Sequence, residues 1–349
     1  MHGPARTLAL RLRAQLLAGA RAPRVDAALE RVVGVQAQEL SHARLAFRPR
    51  CTPRVVASDV DVALRERALV WTWAMRGTLH LVRAADAGWL IGLLGPIFAA
   101  RGRPRRLALG LDDARCERAL DLLRDLLAAE GPQTRAALAA RLPIDPVGQA
   151  PAHLLAYAAL RGVVCRGPPA GREPTYVLLE QWLGAAPATV DEERALAQLA
   201  RRYLAGHGPA TAEDLAAWSG IGLRRARRAL EQIGRSQLRG EDGRYTLRGA
   251  PATAHRGDRR HVVLLAHFDP YLLGYASREL ALDPRFAHRV QAGGGFGRPA
   301  ILIAGRVAGT WRRTGRDWLE PFEPLTDDDV AAALERERDD VERFLARSS

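Results

Sequence analysis

Apolar residues recur at helical spacing through most of this chain, and short runs rich in β-branched and aromatic residues interrupt them. Near the N-terminus, four stretches with helical spacing (5–18, 25–33, 39–46 and 60–67) precede residues 69–76 and 78–82, which resemble strands around a turn near Gly77. The pattern therefore predicts a group of helices followed by a β-hairpin.

Two segments in the middle of the chain resemble each other. The sequence Gly-Pro-x-Thr occurs at Gly131 and again at Gly208, each time between a long and a short helical stretch. Thr134 and Thr211 are placed to cap the short helices. Each segment continues with a third helix (152–161 and 223–233) and a strand pair (163–165 with 175–178, and 237–239 with 245–247). Three helices and a β-wing are typical of the winged helix-turn-helix.

These patterns predict an α+β fold that is mainly α. We expect three tandem winged-helix units, the first a diverged copy, followed by a C-terminal β-rich element and a terminal helix over 326–346. The predicted domains are residues 1–108, 109–188, 189–254 and 255–349. Strands are expected at 261–266, 300–304 and 306–313, with a tight turn at Gly305, and the glycine-rich residues 293–297 suggest a loop that a ligand orders.

The charge of the chain favours a polyanionic partner. Its 52 basic and 39 acidic residues give a formal net charge of +13, and all the basic residues are arginine. Without lysine, no side-chain amine can form a Schiff base. No signal peptide or membrane-spanning run stands out, so we expect a cytoplasmic protein. Cys51, Cys116 and Cys165 are too far apart to suggest a disulfide or a zinc site, and no cofactor or metal is expected.

One short motif suggests chemistry. Gly34 interrupts the apolar pattern of a predicted helix, and Gln36 and Gln38 follow it two residues apart. In an extended segment these two side chains share a face, whereas on a helix they would diverge. Two carboxamide oxygens on one face could hold and orient a water molecule. Alternatively, the glutamines only satisfy backbone groups at a corner between helices.

Four segments together identify a resemblance to one family. They are Gly34-Val35-Gln36-Ala37-Gln38, residues 73–82 with the sequence WAMRGTLHLV, residues 268–275 with the sequence FDPYLLGY followed by Arg278, and residues 305–313 with the sequence GRVAGTWRR. Their order and spread over nearly the whole chain resemble the bacterial tandem winged-helix DNA glycosylases that include AlkZ and YcaQ. That family has three winged-helix units and a C-terminal β element in a concave shape that holds duplex DNA.

The resemblance implies the function of the glutamine pair. The family carries Gln-x-Gln or Gln-x-Asp at its catalytic centre, which maps to Gln36 and Gln38. Glutamine at the second position is similar to the AlkZ branch, which is associated with self-resistance to DNA-alkylating natural products. The expected activity is removal of N7-alkylated purines from double-stranded DNA by a monofunctional, monomeric enzyme. Bulky and cross-linking adducts are further candidate substrates.

The candidate phosphate contacts are basic residues of the four segments and of the helix after the glutamine pair. These are Arg44, Arg48, Arg76, His80, Arg278, Arg312 and Arg313, although Arg278 could instead pair with a buried Asp269. In so arginine-rich a chain, any one of them could also be an ordinary surface residue. The rival interpretation of the whole protein is a winged-helix regulator that binds DNA without catalysis. A nuclease has less support, because no carboxylate cluster of metal-site type stands out.

Overall fold

The computed structural model describes residues 3–171, 173–186, 190–250, 260–291, 293, 297–315 and 317–346. The α-helices are α1 (Pro4–Ala14), α2 (Val25–Val32), α3 (Leu40–Leu45), α4 (Ala57–Arg65), α5 (Ala84–Ala108), α6 (Asp113–Glu130), α7 (Arg135–Ala139), α8 (Ala150–Leu160), α9 (Leu179–Leu183), α10 (Glu192–His207), α11 (Ala212–Ser219), α12 (Leu223–Ile233), α13 (Pro270–Leu273), α14 (Ala287–Val290) and α15 (Asp328–Leu345). The strands are β1 (Gly34–Gln36), β2 (Leu69–Trp73), β3 (Leu79–Arg83), β4 (Gln133–Thr134), β5 (Val164–Ala170), β6 (Glu173–Leu178), β7 (Leu238–Glu241), β8 (Arg244–Leu247), β9 (Val262–Leu265), β10 (Ala300–Ile303), β11 (Arg306–Trp311) and β12 (Leu319–Pro321).

These elements confirm the predicted mixture of helix and strand. The N-terminal hairpin, both central strand pairs and the terminal helix lie where their patterns placed them. Most of the glycine-rich segment 293–297 falls outside the described residues. Among the described helices, none is long and apolar enough to cross a membrane.

The chain divides into two compact units. One comprises Met1–Ala63 with Leu196–Ser349, and the other comprises Leu64–Ala195. Strands β3, β2, β5, β6 and β4 lie side by side in that order in the second unit, where the paired strands are antiparallel. The winged-helix domain boundaries remain a prediction.

Threonine caps open the short helix of each repeated segment, as the sequence predicted. The Thr134 hydroxyl accepts a hydrogen bond from the Ala137 backbone N–H at the start of α7. The Thr211 hydroxyl likewise accepts from the Asp214 backbone N–H at the start of α11, and the Asp214 carboxylate accepts from the Thr211 backbone N–H. Such caps satisfy backbone donors that the first helical turn leaves unpaired, so they fix where each helix begins.

A four-stranded antiparallel sheet organises the C-terminal part of the first unit. Its order is β12, β11, β10, β9, and its two faces bury different residues. Val263 and Leu265 pack with the α1 residues Leu8 and Leu12. Val262 and Leu264 pack on the other face, in a cluster that includes residues of α15. The alternation follows from the two-residue period of a strand and places this sheet between α1 and α15.

A fully buried ion pair crosses the core of the first unit. Both terminal nitrogens of Arg50 donate to Asp269, at 2.8 and 2.6 Å, and both side chains are 0% exposed. The same carboxylate caps α13 by accepting from the Tyr271 N–H. Arg50 also donates to Gln15 Oε1 and to the Ala46 carbonyl. The sequence had suggested Arg278 as the partner of Asp269, and that alternative is wrong because Arg50 occupies the carboxylate.

Substitution of Asp269 tests the importance of this pair. In Asp269→Ala, a buried guanidinium would lose its counter-charge and α13 its cap, so we expect a loss of about 3–5 kcal/mol in the free energy of unfolding. Urea denaturation followed by circular dichroism measures the loss. Asp121→Ala, which removes an exposed i,i+3 pair with Arg124, is the control and should change stability by less than about 1 kcal/mol. Equal losses of stability in the two variants would show that the buried Arg50–Asp269 pair is no more important than an exposed one.

Candidate catalytic turn and basic cavity

The glutamine pair lies where strand β1 ends. Gln36 ends β1, and Gln38 lies in a bend before α3. Val35 and Ala37 are buried, while Gln36 is half-buried and Gln38 is exposed. This alternation places the two glutamine side chains on one side of the segment and the apolar side chains on the other.

Backbone strain lies directly before the pair. Val33, which follows α2, has φ +70° and ψ −46°, close to the γ-turn with positive φ that residues with a Cβ rarely adopt. The sequence suggested that Gly34 turns the chain, but the positive φ falls on this β-branched valine instead. Such conformations cost on the order of 1–3 kcal/mol and persist where the surroundings enforce them. Val33 is fully buried, so packing can supply that constraint.

Helix α3 continues from the glutamine turn, and a second buried arginine holds the segment that follows it. Arg48 is 1% exposed on its side chain and donates to Glu337 Oε2 at 2.7 Å and Asp340 Oδ2 at 2.8 Å, both on α15. It also donates to the Leu264 carbonyl of β9. The expectation that Arg48 contacts phosphate is wrong, because the guanidinium is enclosed and already neutralised.

The α3 helix also lines a cavity of about 920 Å³ within the first unit. Its walls come from α3, α4, the ends of β9, β10 and β11, Glu320 of β12, and the end of α15. Apolar side chains such as Leu45, Pro299 and Trp311 alternate with charged ones. Four arginines and two carboxylates line the cavity: Arg44, Arg298, Arg312, Arg313, Asp61 and Glu320. The cavity wall is therefore net positive.

Two stacked histidines form part of the cavity wall. The rings of His42 and His267 lie 4.0 Å apart between centroids, with an angle of 25° between their planes. His267 Nδ1–H donates to the Gly297 carbonyl at 3.0 Å. Burial, with a smaller contribution from His42, lowers the pKa of His267 to about 4, and burial also lowers the pKa of His42. Both rings are therefore neutral near pH 7, and the positive charge of the cavity comes from arginine.

The arginines of the cavity differ in how far they are already paired. Arg44 donates from Nε and Nη2 to Asp61 Oδ1, at 3.0 and 2.6 Å, so the carboxylate offsets its charge. Arg312 and Arg313 are exposed, and within the described residues neither guanidinium has a hydrogen-bond or ion-pair partner. Arg298 is equally exposed on the cavity wall. The sequence analysis missed Arg298, since it lies beside a glycine-rich segment and outside the quoted motifs.

Two residues of the β2–β3 hairpin were candidate phosphate contacts, and they differ in burial. Arg76 is half-buried in the 3-10 turn between β2 and β3, with φ +56°. His80 is 2% exposed and donates from Nδ1 to the Thr78 carbonyl at 2.9 Å. Burial lowers the pKa of His80 to about 3, so the ring is neutral. The expectation of a phosphate contact by His80 is therefore wrong.

Arg278 and the aromatic motif before it have a structural role. Arg278 Nε donates to the Leu272 carbonyl at 2.7 Å, and burial lowers its pKa. Tyr271 donates to the carbonyl of Gly305 in the β10–β11 turn, and Tyr275 donates to the His207 carbonyl. These bonds join α13 to distant backbone, so this motif contributes mainly to the core. Arg278 is only half-buried, and its place as a DNA contact stays a prediction.

Comparisons with known proteins agree with this arrangement of fold and motif. The sequence model of the family described as DNA glycosylase AlkZ-like matches residues 29–344. The interstrand DNA cross-link repair glycosylase of Streptomyces sahachiroi is 27% identical over 96% of this chain and 94% of its own length.

Comparison with a solved structure supports the same family assignment. The structure of Streptomyces sahachiroi DNA glycosylase AlkZ superposes with a TM-score of 0.86 and 26% sequence identity, covering 98% of this chain and 97% of that one. The family match spans the glutamine turn, most of the cavity lining, most of the first unit and the whole of the second. The chain therefore belongs to the AlkZ-like family of DNA glycosylases.

Proposed function

We propose that this DNA glycosylase hydrolyses the N-glycosidic bond of N7-alkylated purines in duplex DNA, with Gln36 and Gln38 holding the attacking water. The observation that carries the proposal is the burial pattern directly after the strained Val33, where Val35 and Ala37 are buried while Gln36 is half-buried and Gln38 is exposed. The interstrand cross-link named for the Streptomyces sahachiroi relative suggests that bulky and cross-linking adducts are substrates as well.

The chemistry suits neutral side chains. Alkylation at N7 gives the purine a positive charge, so the base leaves as a neutral molecule and needs no general acid. The enzyme must position a water and stabilise an oxocarbenium-like sugar. A carboxamide oxygen can accept a hydrogen bond from that water and orient it, while the proton passes to solvent or a phosphate.

The finer architecture belongs to the same proposal. We infer three tandem winged-helix units over residues 1–108, 109–188 and 189–254, followed by the C-terminal β element. In each central segment, three helices and a strand pair follow one another in the order that a winged helix requires, which supports this division. Monomeric function in the cytoplasm, with double-stranded DNA as the partner, completes the proposal.

Substitution of the glutamines tests the catalytic assignment. Gln36→Ala and Gln38→Ala should each lower the single-turnover rate of N7-methylguanine excision by about 10² or more, since the water loses a positioning contact. Gln38→Asp should retain activity, because a carboxylate also accepts from water and adds stabilising charge. Excision is measured by alkaline cleavage of the abasic product.

Control experiments separate the positioning of water by the two glutamines from DNA binding without catalysis. Gln181→Ala, at an exposed glutamine of α9, should keep the wild-type rate. Full activity in the Gln36→Ala, Gln38→Ala double variant would remove the mechanism. A wild-type protein that binds the duplex tightly and excises no base would instead favour the non-catalytic DNA-binding protein.

A second expected outcome concerns the product. Since the chain has no lysine, no side-chain amine can attack the sugar C1′, and the abasic site should remain intact. Denaturing electrophoresis without heat or alkali should show no strand cleavage, and borohydride should trap no covalent complex. A trapped complex would show that an amine takes part after all.

A further inference from the structure

The open end of the four-stranded sheet concentrates positive charge on one side of the cavity. Ala300 of β10 pairs with Thr310 of β11, and the Trp311 N–H donates to the Pro299 carbonyl. Continuing the antiparallel register of the Ala300–Thr310 pair by two residues would bring Arg298 and Arg312 opposite each other. Both side chains are exposed and both line the cavity, with Arg313 adjacent.

One carboxylate lies beside these arginines. Glu320 of β12 pairs with Thr310 across the sheet and accepts a hydrogen bond from its hydroxyl at 2.9 Å. That bond lowers the pKa of Glu320, and the nearby Arg312, Arg289 and Arg298 lower it further. Glu320 therefore stays ionised near neutral pH, yet a single carboxylate cannot neutralise the arginines on the cavity wall.

The arginines in α3 and just after it are already paired with carboxylates. Arg44 pairs with Asp61, and Arg48 is buried against Glu337 and Asp340. Within the described residues, the side chains of Arg298 and Arg312 donate to no protein acceptor, and both residues line the cavity. Two opposed guanidinium groups suit the oxygens of one phosphodiester.

The cavity is also close to the glutamine turn along the chain. Ser41 and His42, which line it, come three and four residues after Gln38. Three residues span at most about 11 Å, so the cavity wall begins within that distance of the catalytic segment. A phosphate held there would belong to a nucleotide near the target base.

We propose that Arg298 and Arg312 form a seat for one particular phosphodiester of the DNA, a few nucleotides from the lesion. The seat fixes the register of the DNA relative to the glutamine pair. Apolar Leu45, Pro299 and the neutral imidazole stack leave space beside the phosphate for its sugar and base. The proposal rests on the proposed function for its choice of DNA as ligand, and not on catalysis by glutamine.

Neutralising single phosphates tests the seat. Duplexes with a tetrahydrofuran abasic-site analogue would carry one uncharged methylphosphonate at each position within about four nucleotides of the analogue on either strand. Wild-type affinity should fall about tenfold at one position and much less elsewhere. In the Arg298→Ala, Arg312→Ala double variant, substitution at that position should have no further effect, because the two changes remove the same interaction.

Salt dependence provides a second readout. The Arg298→Ala, Arg312→Ala double variant should reduce the slope of log K against log salt by about 1, since one fewer phosphate is neutralised. Arg285→Ala is the matched control, because Arg285 is an exposed arginine of the same unit that pairs with Asp283 and lies outside the cavity. It should leave both the slope and the methylphosphonate profile unchanged. Glu320→Gln should tighten binding severalfold by removing a negative charge beside the phosphate.

These outcomes distinguish a discrete seat from diffuse attraction. Equal losses at every methylphosphonate position, or an undiminished loss at the sensitive position in the double variant, would overturn the proposal. The analogue cannot be hydrolysed, so the measurement does not depend on excision. If the glutamine variants kept full activity, the catalytic proposal would fail while the seat could still be confirmed.

Discussion

Two buried arginines hold the segment on which the candidate chemistry depends. Arg50 joins the residues after α3 to Asp269, and Arg48 joins them to α15 and the Leu264 carbonyl. A guanidinium offers five donors in a rigid plane, so one side chain can bind several elements at once. The glutamine turn leads into α3 and then into this anchored segment, so ion pairs formed far from the turn in sequence help to fix its geometry.

Arginine has three different roles around this site. Arg48 and Arg50 are structural, Arg44 is paired at the cavity edge, and Arg298 and Arg312 face the cavity unpaired within the described residues. The difference between them lies in burial and in the nearest carboxylate. A positive chain can thus build its core and its ligand surface from one residue type, provided that acidic residues are distributed unevenly between them.

Local patterns predicted the elements well, because periodicity and capping act over a few residues. Thr134 and Thr211 cap helices as expected, and Gln36 ends a strand. The partners of the arginines could not be predicted in the same way. Arg48 binds Asp340 across 292 residues, and no local signal in an arginine-rich chain distinguishes it from Arg44. His80 was misjudged for the same reason, since burial is a property of the folded surroundings.

The dependence of Arg48 on α15 has a consequence for synthesis of the protein. Glu337 accepts from Arg48 and from the Leu264 N–H, and it lies near the C-terminal end of the described chain. A ribosome makes this carboxylate long after it makes the glutamines, and chains fold in the order in which they emerge. The nascent chain therefore cannot complete the anchoring of the segment after the glutamine turn until α15 has left the exit tunnel.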